Sequence, residues 1–263
     1  MSKTADVARP LTARSIIAST LLGTHPPRMP VASLVRSCEL FGIRENAARV
    51  ALSRMVSAGE LVVTEGRYTL VGRLRDRQNR QDESRRGLAP GSRWDGTWVL
   101  AVIGPEARSA AERGDLRRTL RQQRFAEWRE GVWLRPDNLG QLDRALPPAC
   151  TLVRGGLPPD PKVLAGTLFH TVEWKERTAE LLVEIEALAR QLSVGDSTVL
   201  TSAFVRNAAV LRHLQSDPLL PAELLPKAWP GHRLRERYER FDAAFVARWQ
   251  SSLREVPSAD RQD

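Results

Sequence analysis

The run VASLVRSCELFGIRENAARVALSRMVSAGELVVTEGRYTL, Val31 to Leu70, leaves a chain few ways to fold. Val31, Leu34, Val35, Cys38 and Phe41 recur at helical spacing and give a first helix an apolar face. Gly42 stops it, because a glycine just past a helix end can take the left-handed backbone that closes the last turn. A second periodic segment, about Arg44 to Ala58, stops at Gly59 in the same way. Leu61, Val62 and Val63 then read as a strand, Glu65-Gly66 as its turn, and Arg67 to Leu70 as the returning strand. Helix, glycine turn, helix, hairpin is the order of a winged helix-turn-helix.

The second of these helices can be projected at about 100° per residue. Ala48, Ala51, Leu52 and Met55 fall on one side, with Val56 at the edge. Asn46, Arg49, Val50, Ser53 and Arg54 fall on the other. That outward set suits a major groove: arginine reads guanine edges, asparagine reads adenine, and a valine methyl can meet a thymine methyl. Arginines also decorate ordinary solvated helices. The preceding turn and the following hairpin tip the balance toward a double-stranded DNA partner. Arg67 and Tyr68, just past the hairpin turn, are the expected wing contacts, and packing of Tyr68 within the hairpin is the competing role.

Charge supports the same end of the chain. The net charge is +9, from 40 Lys+Arg and 31 Asp+Glu. Residues 1–86 carry a balance of +7 and the remaining residues only +2, so the excess lies beside the helix-turn-helix, as a polyanion partner requires. A hydrophobic content of 42% permits folded domains, and 263 residues is enough for about two or three. The two cysteines, Cys38 and Cys150, read as small buried hydrophobes. No signal-peptide core and no apolar run of about 20 residues is visible, so a soluble, cytoplasmic protein without a membrane partner is expected.

Before this run, Thr12 to Leu22 is a helix with Ile16, Ile17, Thr20 and Leu21 on its apolar face, and THPPRMP is a rigid loop. After it, Val71 to Gly91 reads as a charged helix running into a joint at GLAPGS, mainly a solvated linker because acids interrupt its arginines. A second domain begins near Trp94. Trp98 to Gly104 is a buried strand and Glu106 to Phe125 a helix. Phe125 to Trp128 and Gly131 to Leu134 form a strand pair, Leu139 to Leu146 a short helix, and Cys150 to Arg154 a last strand. The order βαββαβ fits a ferredoxin-like split unit. From Thr167 the pattern is helical: Leu168 to Leu192, a segment capped by Asp196 or Ser197 and running to about His213, a proline-punctuated connector, and Leu234 to Leu253. The fold class is α+β, with a winged helix-turn-helix over residues 10–72, a charged linker over 73–93, a ferredoxin-like domain over 94–166 and a helical domain over 167–255.

Taken together, these pieces resemble the PaaX-like transcriptional regulators, named for the repressor of phenylacetic acid degradation. The resemblance rests on ARSIIASTLLG, FGIRENAARVALSRMVSAGEL and GRYTLVG in the first domain. In the middle it rests on WDGTWVLAVI, the R-x-x-L-R pattern from Arg117 to Arg121, and RFAEWREGVWLRP; at the end it rests on DPLLPAELLPKAWPG. It implies a DNA-binding winged helix, a Cas2-like central domain, a C-terminal helical domain used in forming a homodimer, and repression relieved by an acyl-CoA thioester such as phenylacetyl-CoA. One position departs from it. Where the family suits a small capping residue such as serine, this chain has Arg44, which cannot cap; the helix start is expected either to shift to Glu45 or to lean on other contacts, with the guanidinium placed to approach phosphate.

A large acyl-CoA needs an aromatic-lined cleft with basic groups for its phosphates. By type, Trp133, Arg135, Trp174, Trp229 and His232 are candidates for it, against the ordinary role of tryptophans in cores and interfaces. Two other functions compete. A non-specific DNA-binding or architectural module would share the basic charge. A Cas2-like nuclease would need acids at strand ends to hold a metal. The strand from Trp98 ends in Gly104-Pro105, Asp95 lies at its other end and reads as a turn, and the four histidines lack ligand spacing. No catalytic residue, metal site or cofactor is therefore expected.

Overall fold

The computed structural model describes residues 11–88, 93–104, 109–139, 146, 150–157 and 160–254. Their contacts divide the chain into two compact units, each made of non-contiguous pieces. The first takes residues 1–85, 183–215 and 236–263; the second takes 86–182 and 216–235.

In the first unit, α1 (Ala13–Leu22) begins on a capping box: Thr12 accepts from the Ser15 amide and Ser15 accepts from the Thr12 amide. A strand β1 (Arg28–Pro30) leads into α2 (Val31–Glu39), then α3 (Glu45–Ser57) and a hairpin of β2 (Leu61–Thr64) and β3 (Arg67–Leu70). The three strands pair in the order β1-β3-β2, all antiparallel. The Pro-rich segment expected as a loop thus contributes a short edge strand. Proline is tolerated there because an edge need not donate on both sides. Ile16, Ile17, Leu21, Leu34, Cys38, Ala48, Leu52 and Met55 are all essentially inaccessible and form the core beneath the three helices. Burial, with Glu39 adding to it, pushes the Cys38 thiol up to about 11, so it stays protonated and inert. Cys150 is half-buried, less enclosed than expected, and both cysteines are free.

The charged stretch forms α4 (Gly72–Arg86). The solvated linker expected there is corrected: Leu74, Gln78, Gln81 and Ser84 are buried. Gln78 donates to the Leu22 and Thr24 carbonyls at 3.0 Å each and so closes the exposed end of α1. Arg85 reaches Asp242 at 2.8 Å and lies over the Tyr238 ring, 5.2 Å from its centroid. Asp242 also accepts from Asn207 at 2.6 Å. Asp242 and Tyr238 lie on α9 (Gly231–Arg254), and Asn207 lies on α8 (Leu200–Gln215). Desolvation would lower the Arg85 pKa, but the Tyr238 hydroxyl and the Asp242 carboxylate outweigh it and raise it. The same unit holds an aromatic cluster: Phe41, beside the turn after α2, meets Phe204 edge-on at 5.1 Å, and Phe204 stacks on Trp249 at 5.1 Å.

In the second unit, β4 (Trp98–Ile103), α5 (Ala110–Gln122), β5 (Ala126–Arg129), β6 (Val132–Pro136) and β7 (Cys150–Gly155) build an antiparallel sheet in the order β5-β6-β4-β7. Counted along the domain this is the 4-1-3-2 order of a ferredoxin-like sheet. The short helix expected over Leu139 to Leu146 and the joint expected at GLAPGS fall mostly outside the described residues. Alternation along the strands gives two apolar clusters. Val99, Ala101 and Trp133 pack with Leu116 and Leu120 of α5. Trp98 and Leu134 pack with Leu164 and Ala165 of α6 (Pro161–Leu168) and with Leu220 and Leu224 of the connector. Helix α6 was not expected; Asp160 caps it and Pro161 occupies its first turn. The next helix, α7, spans Thr171–Ser193.

Candidate nucleic-acid interface

The helix-turn-helix is fixed at both ends by backbone hydrogen bonds. After α2, the Gly42 amide donates to Glu39 and the Ile43 amide to Cys38; after α3, the Gly59 amide donates to Val56 and the Glu60 amide to Met55. Both are Schellman closures, and both glycines sit at positive φ, +72° and +65°. A side chain at either position would strain the turn that sets one helix against the other.

Helix α3 starts at Glu45 with Arg44 in the capping position, so the start is not displaced by the residue that cannot cap it. Arg44 is the boundary residue in extended conformation, with no side-chain hydrogen bond to the helix end. Ala48, Leu52 and Met55 point inward. Arg44, Asn46, Arg49, Val50, Ser53 and Arg54 are all exposed, Val50 to 50%. Arg49 is folded back on Glu45 one turn earlier, at 2.7 Å. That draws its guanidinium toward the helix N-terminus, the end that recognition helices present to bases. Because both partners are more than half exposed, the pair contributes little and can exchange for a stronger acceptor.

The wing turn is Glu65-Gly66, with φ of 52° and 68°. Two successive positive φ values match the right-handed twist of the strands. Arg67 is exposed and Tyr68 half-buried on β3, where Tyr68 pairs with Met29 and Val63. Sequence reasoning missed Arg28. From β1 its guanidinium reaches Glu65 at 3.0 Å and the Thr64 carbonyl at 3.3 Å, tying down the tip of the wing. Nothing local signals this, because β1 itself was not legible. Arg14 makes a two-nitrogen ion pair with Glu60 and so fixes α1 to the start of the hairpin.

The five residues considered for a thioester ligand divide into two groups. Trp133 and Arg135 alternate with Leu134 on β6 and are 1% and 4% exposed. Arg121 lies over the Trp133 ring, and Arg135 over Phe125. Both are packing residues of the α5 side of the sheet. Trp174 and Trp229 stack at 4.4 Å, with Trp229 partly exposed and His232 exposed. Asp95 accepts from the Thr97 amide at 2.8 Å in the turn before β4, and hydrogen bonds from Thr97 lower its pKa. Among the described residues no group of three or more His, Cys, Asp or Glu side chains is placed to hold a metal. No helix of the described residues is long and apolar enough to cross a membrane.

This architecture defines a winged-helix protein with a Cas2-like middle domain and a helical C-terminal domain. Three family models match it in order: PaaX-like protein over residues 12–76, PaaX protein central Cas2-like domain over 91–148, and PaaX-like protein C-terminal domain over 169–255. The chain belongs to the PaaX-like family, a family of transcriptional regulators. It is similar to a solved structure, the uncharacterized protein Rv0674 from Mycobacterium tuberculosis, with 39% identity over 92% of this chain and 98% of that one and a TM-score of 0.68. No curated protein matches the chain.

Proposed function

We propose that the protein is a sequence-specific DNA-binding repressor that works as a homodimer and leaves its operator when an acyl-CoA thioester binds. The observation that carries the reading is the outward face of α3. Two exposed arginines, Arg54 and Arg49 (the latter in its exchangeable pair with Glu45), are presented with an asparagine, a serine and a valine on a helix whose other side is locked in the core, beside a hairpin braced by Arg28. A reading helix needs that combination of rigid placement and unshielded polar groups. The base-edge candidates are Asn46, Arg49, Val50, Ser53 and Arg54. Arg44, Arg67 and Tyr68 are the backbone candidates. For the effector, the partly exposed Trp229 on Trp174, with His232 nearby in sequence, is a better platform than the enclosed Trp133 and Arg135.

The test is a titration at physiological salt of an operator found by genomic footprinting against random duplex, repeated with phenylacetyl-CoA. Operator preference with release by the thioester is expected. Equal affinity for both duplexes would make the protein an architectural binder instead. A bound effector at a hundredfold excess over its Kd should also stabilise the fold by about 2.7 kcal/mol.

A further inference from the structure

Helix α4 carries Arg77, Gln81 and Arg85 one turn apart on a single face. At the Arg85 end the charge is answered, because Asp242 of α9 accepts from it at 2.8 Å. At the Arg77 end it is not. Arg77 is half-buried, and among the described residues its side chain makes no hydrogen bond or ion pair. The charges that act on it are those of Arg212 on α8 and Arg14 on α1, both exposed. Burial, and then these two like charges, lower its pKa. Arg212 also has no ionic partner among the described residues, and Arg14 holds Glu60.

Gln81 sits between the two ends of this face. It is 4% exposed, yet its Oε1 is enclosed without a hydrogen-bond partner. Among the described residues its carboxamide nitrogen donates to nothing either. Gln78, three residues earlier, shows how the same helix settles a buried amide, with its nitrogen on two carbonyls and its oxygen on Arg75. An enclosed amide left unpaired, one turn from a half-buried guanidinium with no acid beside it, opposes folding on two counts. Local conflicts of this kind are kept where a ligand resolves them.

Three guanidiniums against the one carboxylate of Glu60 leave two positive charges. A phosphate monoester carries about −1.5 to −2 charges at neutral pH. Its three oxygens can engage guanidinium forks arriving from separate helices, where a carboxylate has only two to offer. We propose that Arg77, Arg212 and Arg14, with Gln81 beside them, form a site for the phosphate group of a small molecule. Arg77 supplies the enclosed fork, Arg212 and Arg14 close on the anion from the rim, and Gln81 turns its amide nitrogen to an oxygen. The site is separate from the base-reading surface. Arg14 meets Glu60 beyond the C-terminal end of α3, roughly 18 Å along the helix from Glu45, whereas recognition helices give their N-terminal end to bases. Two carriers share the required chemistry: a free phosphorylated metabolite and the nucleotide end of a coenzyme A thioester.

Calorimetric titration of the full chain with inorganic pyrophosphate, at fixed ionic strength in chloride, tests it. Saturable binding of about one pyrophosphate per chain is expected. Arg77→Ala and Arg212→Ala should each raise the Kd at least about tenfold. Arg118→Ala, which removes an exposed arginine of the second unit, should leave it within about twofold. Arg212→Glu gives Arg77 an acid of its own. It should abolish binding and raise the thermal midpoint of the free protein, which a loss of folding could not do. Absence of pyrophosphate binding, binding retained in Arg77→Ala and Arg212→Ala, or equal weakening by Arg118→Ala overturns the site. So does a loss of random-duplex affinity in Arg77→Ala that matches its loss for pyrophosphate, since the cluster would then be a contact to the DNA backbone. Coenzyme A assigns the carrier. Competition with pyrophosphate, lost in Arg77→Ala, points to the thioester; simultaneous binding of both points to a free phosphorylated metabolite.

Discussion

Helices α3 and α4 are both rich in arginine, and the fold uses them in opposite ways. In α3 the inward side is aliphatic, so every polar group is released to the surface. In α4 only Leu74 is a large apolar residue, yet a full side of the helix is buried. It is buried through amides and a hydroxyl. Gln78 is fully enclosed because its two N–H groups reach carbonyls at the end of α1 and its oxygen accepts from Arg75. A buried amide with every bond made costs little, whereas one left unpaired costs the full desolvation. The contrast teaches that charge density alone does not say which arginine helix is a surface and which is a strut.

The comparison can be pressed by removing the groups that make α4 a strut. The largest effect is expected for Asp242→Ala, which strands Arg85 and Asn207 in a part-buried site: a loss of about 3 kcal/mol in chemical denaturation. A linker helix that merely rides on the surface would show no change. Gln78→Ala should cost about 1–3 kcal/mol, by leaving the α1 carbonyls unpaired, and should raise amide exchange at the end of α1. The wing gives the smallest effect. Arg67→Ala should leave stability alone, weaken binding to all duplexes alike and reduce the salt slope by about one.

What could be read from the sequence follows the same physics. Gly42, Gly59 and Glu65-Gly66 announced their turns because positive φ selects so few residue types. The first strand of the central sheet was visible as the unbroken apolar run from Trp98 to Ile103, as a strand covered on both faces requires. The buried side of α4 was not, since periodicity is counted in aliphatic residues and this helix buries polar ones. β1 was hidden by Pro26 and Pro27 before it and by Pro30 within it. Helix α6 had a legible start in Asp160-Pro161, passed over because Gly155, Gly156 and two further prolines precede it. The contact of Phe41 with Phe204 and Trp249 joins residues far apart in the chain, and no local pattern carries that information. The candidate interface was largely local, one helix and one hairpin, and so its residues could be named in advance. The bracing by Arg28 depended on a strand that could not.

The most direct test of the central claim is the ratio of operator to random-duplex affinity for Arg49→Ala at fixed salt. An exposed α3 that reads bases predicts a loss of roughly 1–3 kcal/mol on operator, little change on random duplex, and an unaltered thermal midpoint. An unchanged operator Kd would contradict the account and remove α3 from recognition.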